Sequence, residues 1–176
     1  MNLFYLDKDP VKAAKMHNDK HVVKMILEMA QMLSTAHRVL DGEQYTDLSE
    51  NGRRIKRWKL NENEELVYKA THVNHPSAAW IRETSTNYKF AYDLFLALCN
   101  EYTYRYGKIH LTQTKLEKIL AKNPNNIPHG PMTKVPQAMP DHCKDEDSVT
   151  AYRNYYILEK SSMLKYTRRQ TPSWIK

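Results

Sequence analysis

Residues 17–42 constrain the fold most, because their apolar residues recur at the spacing of one long amphipathic helix. At about 100° per residue, one broad face collects Val22, Met25, Ile26, Met29, Leu33, Ala36 and Leu40. A narrow polar seam follows the other side in steps of three or four residues, and its members are His21, Lys24, Glu28, Gln31, Thr35 and Arg38. The pattern predicts a core face, and for the seam either a pocket floor or an ordinary solvated surface.

Length and composition predict a single compact domain. The chain has 176 residues, 41% of them hydrophobic, and no apolar run approaches the roughly 20 residues that span a bilayer. The amino terminus lacks the basic and apolar regions of a signal peptide, so we expect a cytoplasmic protein with no membrane partner. Two cysteines, Cys99 and Cys143, fit neither a disulfide framework nor a cysteine-based zinc site.

The excess of positive charge favours a polyanionic partner. The 27 Lys and Arg residues outnumber the 20 Asp and Glu residues, giving a net charge of +7, and 12 Tyr and three Trp accompany them. Cationic side chains bind phosphates and aromatic rings stack on unpaired bases, so nucleic acid is the favoured partner class. The chain has only four glycines and no glycine-rich phosphate loop, so ATP-driven and dinucleotide chemistry are not expected.

Helix start and stop residues predict an all-α fold of about five helices. Asp9 followed by Pro10 is a typical helix start, and Asp19 is expected to cap the long helix. Helices are expected over residues 10–17, 17–42, 76–107, 112–120 and 148–167, and Asn87 is expected to cap or kink the third of these.

Two segments between the helices are expected to be irregular. Residues 124–146 contain five prolines together with apolar side chains, which predicts an ordered loop over the core. Residues 43–74 form an insertion in which the turn signal Asn51-Gly52 precedes a dense basic cluster. The cluster consists of Arg53, Arg54, Lys56, Arg57, Trp58 and Lys59. We expect it either to contact a phosphate backbone or to be a solvated insertion loop.

Four histidines offer one chemical interpretation, a metal-dependent hydrolase of nucleotides. They are His17, His21, His72 and His75. The first two are four residues apart and share a helix face, and the last two also have helical spacing. Paired histidines on helices are more often structural or capping, so the primary expectation includes no metal and no cofactor.

Glu28 offers a different interpretation. Its apolar neighbours Leu27 and Met32 predict a partly desolvated carboxylate that can exchange protons near neutral pH. The chemistry also needs a nucleophile, and Lys24 or an α-amine would serve, since α-amines titrate near pH 8 before any tuning. The apolar residues 2–6 are expected to dock the terminus, which favours the α-amine of Met1.

These residues together resemble the pyrimidine-dimer DNA glycosylases of the phage endonuclease V type. The resemblance depends on His21 with Glu28 seven residues later, on the helix that ends at Gly42, on the His75-Pro76 helix start, and on the tail RRQTPSW. It covers the first 42 residues and the tail.

The resemblance implies a small, basic, all-helical enzyme that attacks C1′ of a damaged pyrimidine nucleotide with its terminal amine. An imine forms, the base leaves, and a helix glutamate assists the β-elimination that cleaves the strand. Met1 would supply the amine, Glu28 would be the acid and base, and His21 and Lys24 would tune the charge. Leu27 stands where the family has a basic residue.

The first functional hypothesis is therefore a monomeric DNA glycosylase with abasic-site lyase activity, acting without a cofactor on duplex DNA with a damaged or modified base. Residues expected to contact the nucleic acid are Arg53, Arg54, Lys56, Arg57, Trp58, Arg105, Lys108, Arg168, Arg169 and Trp174. The metal-dependent hydrolase is the second hypothesis. A non-catalytic nucleic-acid-binding or phage interaction protein is the third.

Overall fold

Six α-helices and one β-hairpin make up the regular structure of residues 1–175, the part of the chain that a computed structural model describes. The helices are α1 (Pro10–Met16), α2 (Asp19–Asp41), α3 (Pro76–Ile81), α4 (Ser85–Tyr106), α5 (Leu111–Leu120) and α6 (Ser148–Glu159). The strands are β1 (Glu43–Leu48) and β2 (Arg54–Lys59), and 3₁₀ turns cover Asp141–Cys143 and Ser161–Met163. Within this part of the chain no helix has both the length and the apolarity required to cross a membrane.

Helix α2 is the central element. Helices α3, α4 and α5 pack against it, and α1 packs on α4. Its predicted core face is confirmed, and the fully buried members include Val22, Met25, Ile26, Met29 and Leu33. Helix α4 adds the buried side chains of Leu94, Phe95 and Leu98. Burying a side chain of this size stabilises the fold by about 1.5–3 kcal/mol, so these two helices form the centre of the hydrophobic core.

Capping residues explain where the first helices begin. Asp9 caps α1, as predicted. Asn18 caps α2 in place of the predicted Asp19, because the Asn18 side chain accepts a hydrogen bond of 2.9 Å from the backbone N–H of His21. The carboxylate of Asp19 binds Arg105 instead.

Two predicted helices have different bounds in the structure. The region 76–107 forms two helices, because Thr84 adopts an extended conformation and caps a new helix, α4. The last helix was expected over residues 148–167, but α6 ends at Glu159. The following Ser161 and Ser162 are weak helix formers, and they lie in a 3₁₀ turn.

The basic insertion is the main departure from an all-α fold. Strands β1 and β2 pair antiparallel, from Glu43 opposite Lys59 to Leu48 opposite Arg54. Gly52 adopts φ 72°, which the connecting turn requires and which glycine tolerates. The prediction of an all-α fold is correct for the helical bulk of the chain and wrong for residues 43–59.

Arg38 fixes this insertion to α2. Its guanidinium donates to the backbone oxygens of Trp58, Glu64, Val67 and Tyr68 and to the Glu64 carboxylate, at distances of 2.6–2.9 Å. The residue is 2% exposed. The sequence predicted that Arg38 lies on a pocket wall or on a plain surface. It is instead the buried anchor of the segment after the hairpin.

The proline-rich segment is an ordered loop over the core, as predicted. Ile127 and Val135 are buried, and Met132 is exposed. Polar side chains of the helices bind the loop backbone: Asn87 Oδ1 accepts from the N–H of Thr133. The segment therefore obtains its order from contacts with α2, α4 and α6, and its regular structure is limited to the 3₁₀ turn Asp141–Cys143.

Candidate functional site

The amino terminus lies against the middle of α2. The α-nitrogen of Met1 is 3.3 Å from Glu28 Oε2, and Lys24 Nζ is 3.2 Å from Glu28 Oε1. The side chains of Met1 and Glu28 are 4% and 13% exposed, whereas that of Lys24 is 65% exposed. Since Met1 as a whole residue is half-buried, its accessible surface belongs mainly to main-chain atoms. A buried side chain thus anchors a reachable amine beside a carboxylate.

The terminal segment is held by specific contacts on both sides of the chain. The Asn2 side chain donates to the backbone oxygen of Ala138 at 2.8 Å and accepts from the N–H of Leu3 at 2.7 Å. Leu3 and Leu6 are fully buried. Phe4 adopts φ 46°, a left-handed conformation that is costly for a bulky residue and persists only when the surroundings enforce it. The expectation that residues 2–6 dock the terminus agrees with these contacts.

His21 supports the terminal segment and does not contact the amine. Its ring stacks on Phe4 with centroids 4.2 Å apart, and its Nδ1 is 2.6 Å from the hydroxyl of Tyr156. Burial, followed by the nearby positive charges of His17, Lys160 and Lys24, lowers the pKa of His21 to about 3. The ring is therefore neutral at physiological pH and packs against Phe4.

His17 is a second buried histidine, and it is the residue that caps the carboxyl end of α1. Its Nδ1 donates to the backbone oxygen of Ala13 at 2.7 Å, and its Nε2 is buried without a hydrogen-bond partner. Burial lowers the pKa of His17 to about 4.

Acidification is expected to destabilise the protein through His17. Its pKa is about 4 in the folded protein and 6.5 ordinarily, so the unfolded chain binds the proton more tightly. Stability that is fully present above pH 6.5 is therefore lost as the pH falls toward 4. Between pH 7 and pH 5 this histidine lowers the free energy of unfolding by about 2 kcal/mol. Urea denaturation at the two pH values measures this effect. From pH 7 to pH 5, the free energy of unfolding of His17→Gln should fall by about 2 kcal/mol less than that of the wild type. Equal losses would contradict the assignment.

The other histidine pair is not helical. His72 adopts φ 48° in a turn, and His75 is the residue that caps α3. Among residues 1–175, one group of three potential ligands is close enough to hold a metal, namely His142, Cys143 and Glu159. None of the four histidines of the metal hypothesis belongs to it. Within this group, His142 Nε2 and Glu159 Oε1 form a hydrogen bond of 2.7 Å with each other.

The polar seam of α2 thus has two parts. Near its start, Glu28 binds the amine through one carboxylate oxygen and Lys24 through the other. Farther along, Thr35 Oγ1 accepts from the N–H of Thr71 at 3.1 Å, and Arg38 binds the segment after the hairpin. Both Thr35 and Arg38 are buried, so the seam is neither a pocket floor nor a solvated face along its whole length.

Comparisons with protein families, curated proteins and solved structures found no match to this chain. The geometry of the site is therefore the basis for a functional assignment.

The hairpin separates its charges between two faces. Because side chains alternate along a strand, Arg54, Lys56 and Trp58 share one face with their partners Leu48, Thr46 and Gln44. We call this the Arg54 face. On the opposite face, Glu43 and Asp47 accompany Arg57 and Lys59, and Arg57 Nε lies 3.9 Å from an Asp47 oxygen. The Arg54 face therefore presents positive charge, and the same face of the paired strand carries no carboxylate.

The other cationic residues that were predicted to contact nucleic acid differ in exposure. Arg53 in the turn, Lys108 and Arg168 are exposed. Arg169 donates two hydrogen bonds to Glu101, both 2.9 Å long. Arg105, which the sequence predicted as a phosphate contact, has a side chain that is 0% exposed and is engaged inside the protein.

Trp174 anchors the tail rather than projecting from it. The residue is half-buried and its ring lies 6.1 Å from that of Tyr156. The guanidinium of Arg153 covers the indole at 5.5 Å. The expectation that this tryptophan approaches DNA therefore concerns, at most, its exposed edge.

Proposed function

We propose that the protein is a DNA glycosylase with associated abasic-site lyase activity, in which Met1 supplies the α-amine nucleophile and Glu28 is the acid and base. The observation that carries the proposal is the 3.3 Å separation between the α-nitrogen and Glu28 Oε2. Covalent catalysis by an amine needs a proton acceptor within about this distance of the nucleophile.

The reaction has three stages, which are displacement of the base, opening of the sugar ring and β-elimination. Glu28 accepts a proton from the ammonium, and the amine nitrogen then bonds to C1′ while the bond from C1′ to the base breaks. The electron pair leaves with the base, which takes up a proton from solvent. The attached nitrogen then loses a proton to solvent, and its lone pair forms the C1′=N bond of a protonated imine while the bond from C1′ to the ring oxygen breaks. The Glu28 proton passes to the ring oxygen. The Glu28 carboxylate then removes a proton from C2′, the electrons form the C2′–C3′ double bond, and the 3′ phosphate leaves.

Lys24 and His21 support this chemistry in different ways. Lys24 holds the second oxygen of Glu28, so the carboxylate keeps the first oxygen toward the α-nitrogen. Its own amine is on an exposed side chain, whereas the Met1 side chain is buried. Preorganisation of the nucleophile therefore favours Met1. His21 acts through Phe4, which it stacks against.

Borohydride trapping tests the nucleophile. Reduction of the imine on duplex DNA with one abasic site should leave a covalent adduct, and trypsin should release it on residues 1–8, which end at the first lysine. Lys24→Gln should still form an adduct on the same peptide, because the proposal requires a free amine at Met1 only. An amino-terminal extension of several residues should abolish the adduct. The absence of an adduct with the wild type, or equal trapping by the extended protein, would refute the proposal.

The Arg54 face is proposed to bind the DNA backbone. Each phosphate contact contributes about 0.9 to the slope of log affinity against log salt concentration, so the Arg54→Gln/Lys56→Gln variant should lower the slope by about 1.8. The control is Lys115→Gln/Lys118→Gln, which removes the same charge from exposed positions on α5. An equal decrease in both variants would mean that total charge, not this face, determines binding.

The uncovered charge of the Arg54 face also fits a nucleic-acid-binding protein without chemistry. Such a protein would bind DNA with the same dependence on salt but would form no borohydride adduct. The two measurements together therefore separate an enzyme from a binding protein.

A further inference from the structure

His75 has a tautomer that is fixed by its position. It precedes α3, and its Nδ1 accepts a hydrogen bond of 3.2 Å from the backbone N–H of Ser77. An accepting ring nitrogen carries no proton, so the neutral ring has its proton on Nε2. Protonation of both nitrogens would set Nδ1–H against the N–H of Ser77 and break the cap. The helix start therefore opposes a charged imidazole.

The His75 ring lies close enough to the Met1 amine and to Glu28 for both charges to act on it. Burial, then the charges of the Met1 amine and His72, lower the pKa of His75, while the charge of Glu28 raises it. The ring is half-buried, and among residues 1–175 its Nε2 has no hydrogen-bond partner. One donor near the amine is thus left available for a bound molecule.

The backbone around His75 is held in place from two sides. The N–H of His75 donates to the backbone oxygen of His72 at 2.8 Å, closing a turn in which His72 has the left-handed φ of 48°. Thr71, at the start of this turn, is bonded to Thr35 of α2. Helix α2 therefore carries Glu28 and also fixes the turn that supports His75. A strained residue held by its surroundings is a recurrent feature of functional sites.

We propose that His75 is a further catalytic residue of the glycosylase and lyase reaction, donating Nε2–H to the oxygen bonded to C1′ of the nucleotide. This inference rests on the proposed function. In an intact nucleotide that atom is the ring oxygen, and in an abasic site it is the aldehyde oxygen. The aldehyde oxygen gains negative charge when the amine attacks it, and the ring oxygen gains negative charge when the sugar ring opens, in each case before the oxygen receives a proton. A neutral donor stabilises this charge without adding a cation beside the amine.

The decisive variant is His75→Asn. Asparagine is among the residues that cap helices best, so its side chain can accept the hydrogen bond from Ser77. The substitution removes Nε2–H. The rate of imine formation on abasic-site DNA in a single turnover is expected to fall about 10²-fold. The matched control is His72→Asn, in the same turn at a left-handed position that asparagine tolerates, and it should react at the wild-type rate.

Two further measurements separate the possible failures. Nitrogen NMR of the imidazole rings should show His75, identified by its loss in His75→Asn, with Nδ1 unprotonated at neutral pH. Its Nε2–H signal should shift when duplex DNA with a tetrahydrofuran abasic analogue is added, and not with undamaged duplex. A wild-type rate in His75→Asn, or a protonated Nδ1, overturns the inference while the proposed function stands. No adduct with the wild type overturns both.

Discussion

The Glu28→Gln variant should cleave the strand at an abasic site about 10³-fold more slowly than the wild type, because it lacks the base that removes the C2′ proton. Glutamine has the shape of glutamate and still offers an oxygen to the α-nitrogen, 3.3 Å away in the wild type. Imine formation should slow less, because water can replace Glu28 as the acceptor of the ammonium proton, whereas the C2′ proton is a much weaker acid and needs a positioned base. Borohydride should therefore still trap an adduct, and strand cleavage should lose more rate than trapping does.

The folded state of Glu28→Gln is expected to be only slightly less stable. The carboxylate is partnered by two amines, but Lys24 is exposed and the accessible surface of Met1 is mainly main chain. Water therefore solvates both cations after the change, and the loss in the free energy of unfolding should be below about 2 kcal/mol. The control is Glu65→Gln, an exposed carboxylate on the segment after the hairpin. Strand cleavage by Glu28→Gln at the rate of this control would exclude Glu28 as the base.

The sequence predicted those parts of the fold whose causes are local. The apolar face of α2 is confirmed because its residues repeat at the helical period, and Asp9 with Pro10 begins α1 because capping involves neighbours in the chain. The capping residue of α2 was missed by one position. Asn18 and Asp19 are both good caps, and the choice depends on Arg105, which binds Asp19 from α4.

The hairpin was not predicted because its strands lack the usual signal. A strand that buries one face alternates apolar and polar residues, but the residues of β1 and β2 are mostly exposed on both faces. The Asn51-Gly52 turn was visible in the sequence, whereas the cause that holds the segment in place was not. That cause is Arg38, whose bonds to residues 58–68 span a loop without periodicity.

The candidate site was predicted in part. The meeting of Met1 with Glu28 was expected from the apolar terminal segment and from the resemblance, and the 3.3 Å distance agrees with it. His75 was read as a helix start or a metal ligand, because its nearness to the amine depends on a turn fixed by Thr35. Arg105 was assigned to phosphates because its internal partners could not be predicted from the sequence. Asp19 and Lys15 are remote in the chain, and Glu101 lies on the buried side of α4.

The Arg105→Met variant should lower the free energy of unfolding by about 3–5 kcal/mol, because Asp19 loses its cation and the buried Glu101 keeps only the partly exposed Arg169. Arg105 donates to Glu101 Oε1 at 2.7 Å, to Asp19 Oδ1 at 3.0 Å and to the backbone oxygen of Lys15 at 3.0 Å. Its side chain is 0% exposed and that of Glu101 is 4% exposed. Burial raises the pKa of Glu101, but hydrogen bonds from Arg169 and Arg105 bring it below its ordinary value.

Urea denaturation of three variants distinguishes a lost ion pair from lost packing. Arg168→Met removes the same charge from an exposed neighbour of the network and should change stability by less than about 0.5 kcal/mol. The double variant Arg105→Met/Glu101→Met removes both buried charges and should recover part of the loss, since apolar replacements of a buried pair are often near neutral. If the double variant is instead less stable than Arg105→Met, the guanidinium stabilises the fold by filling space between α1, α2 and α4, and its charge is secondary.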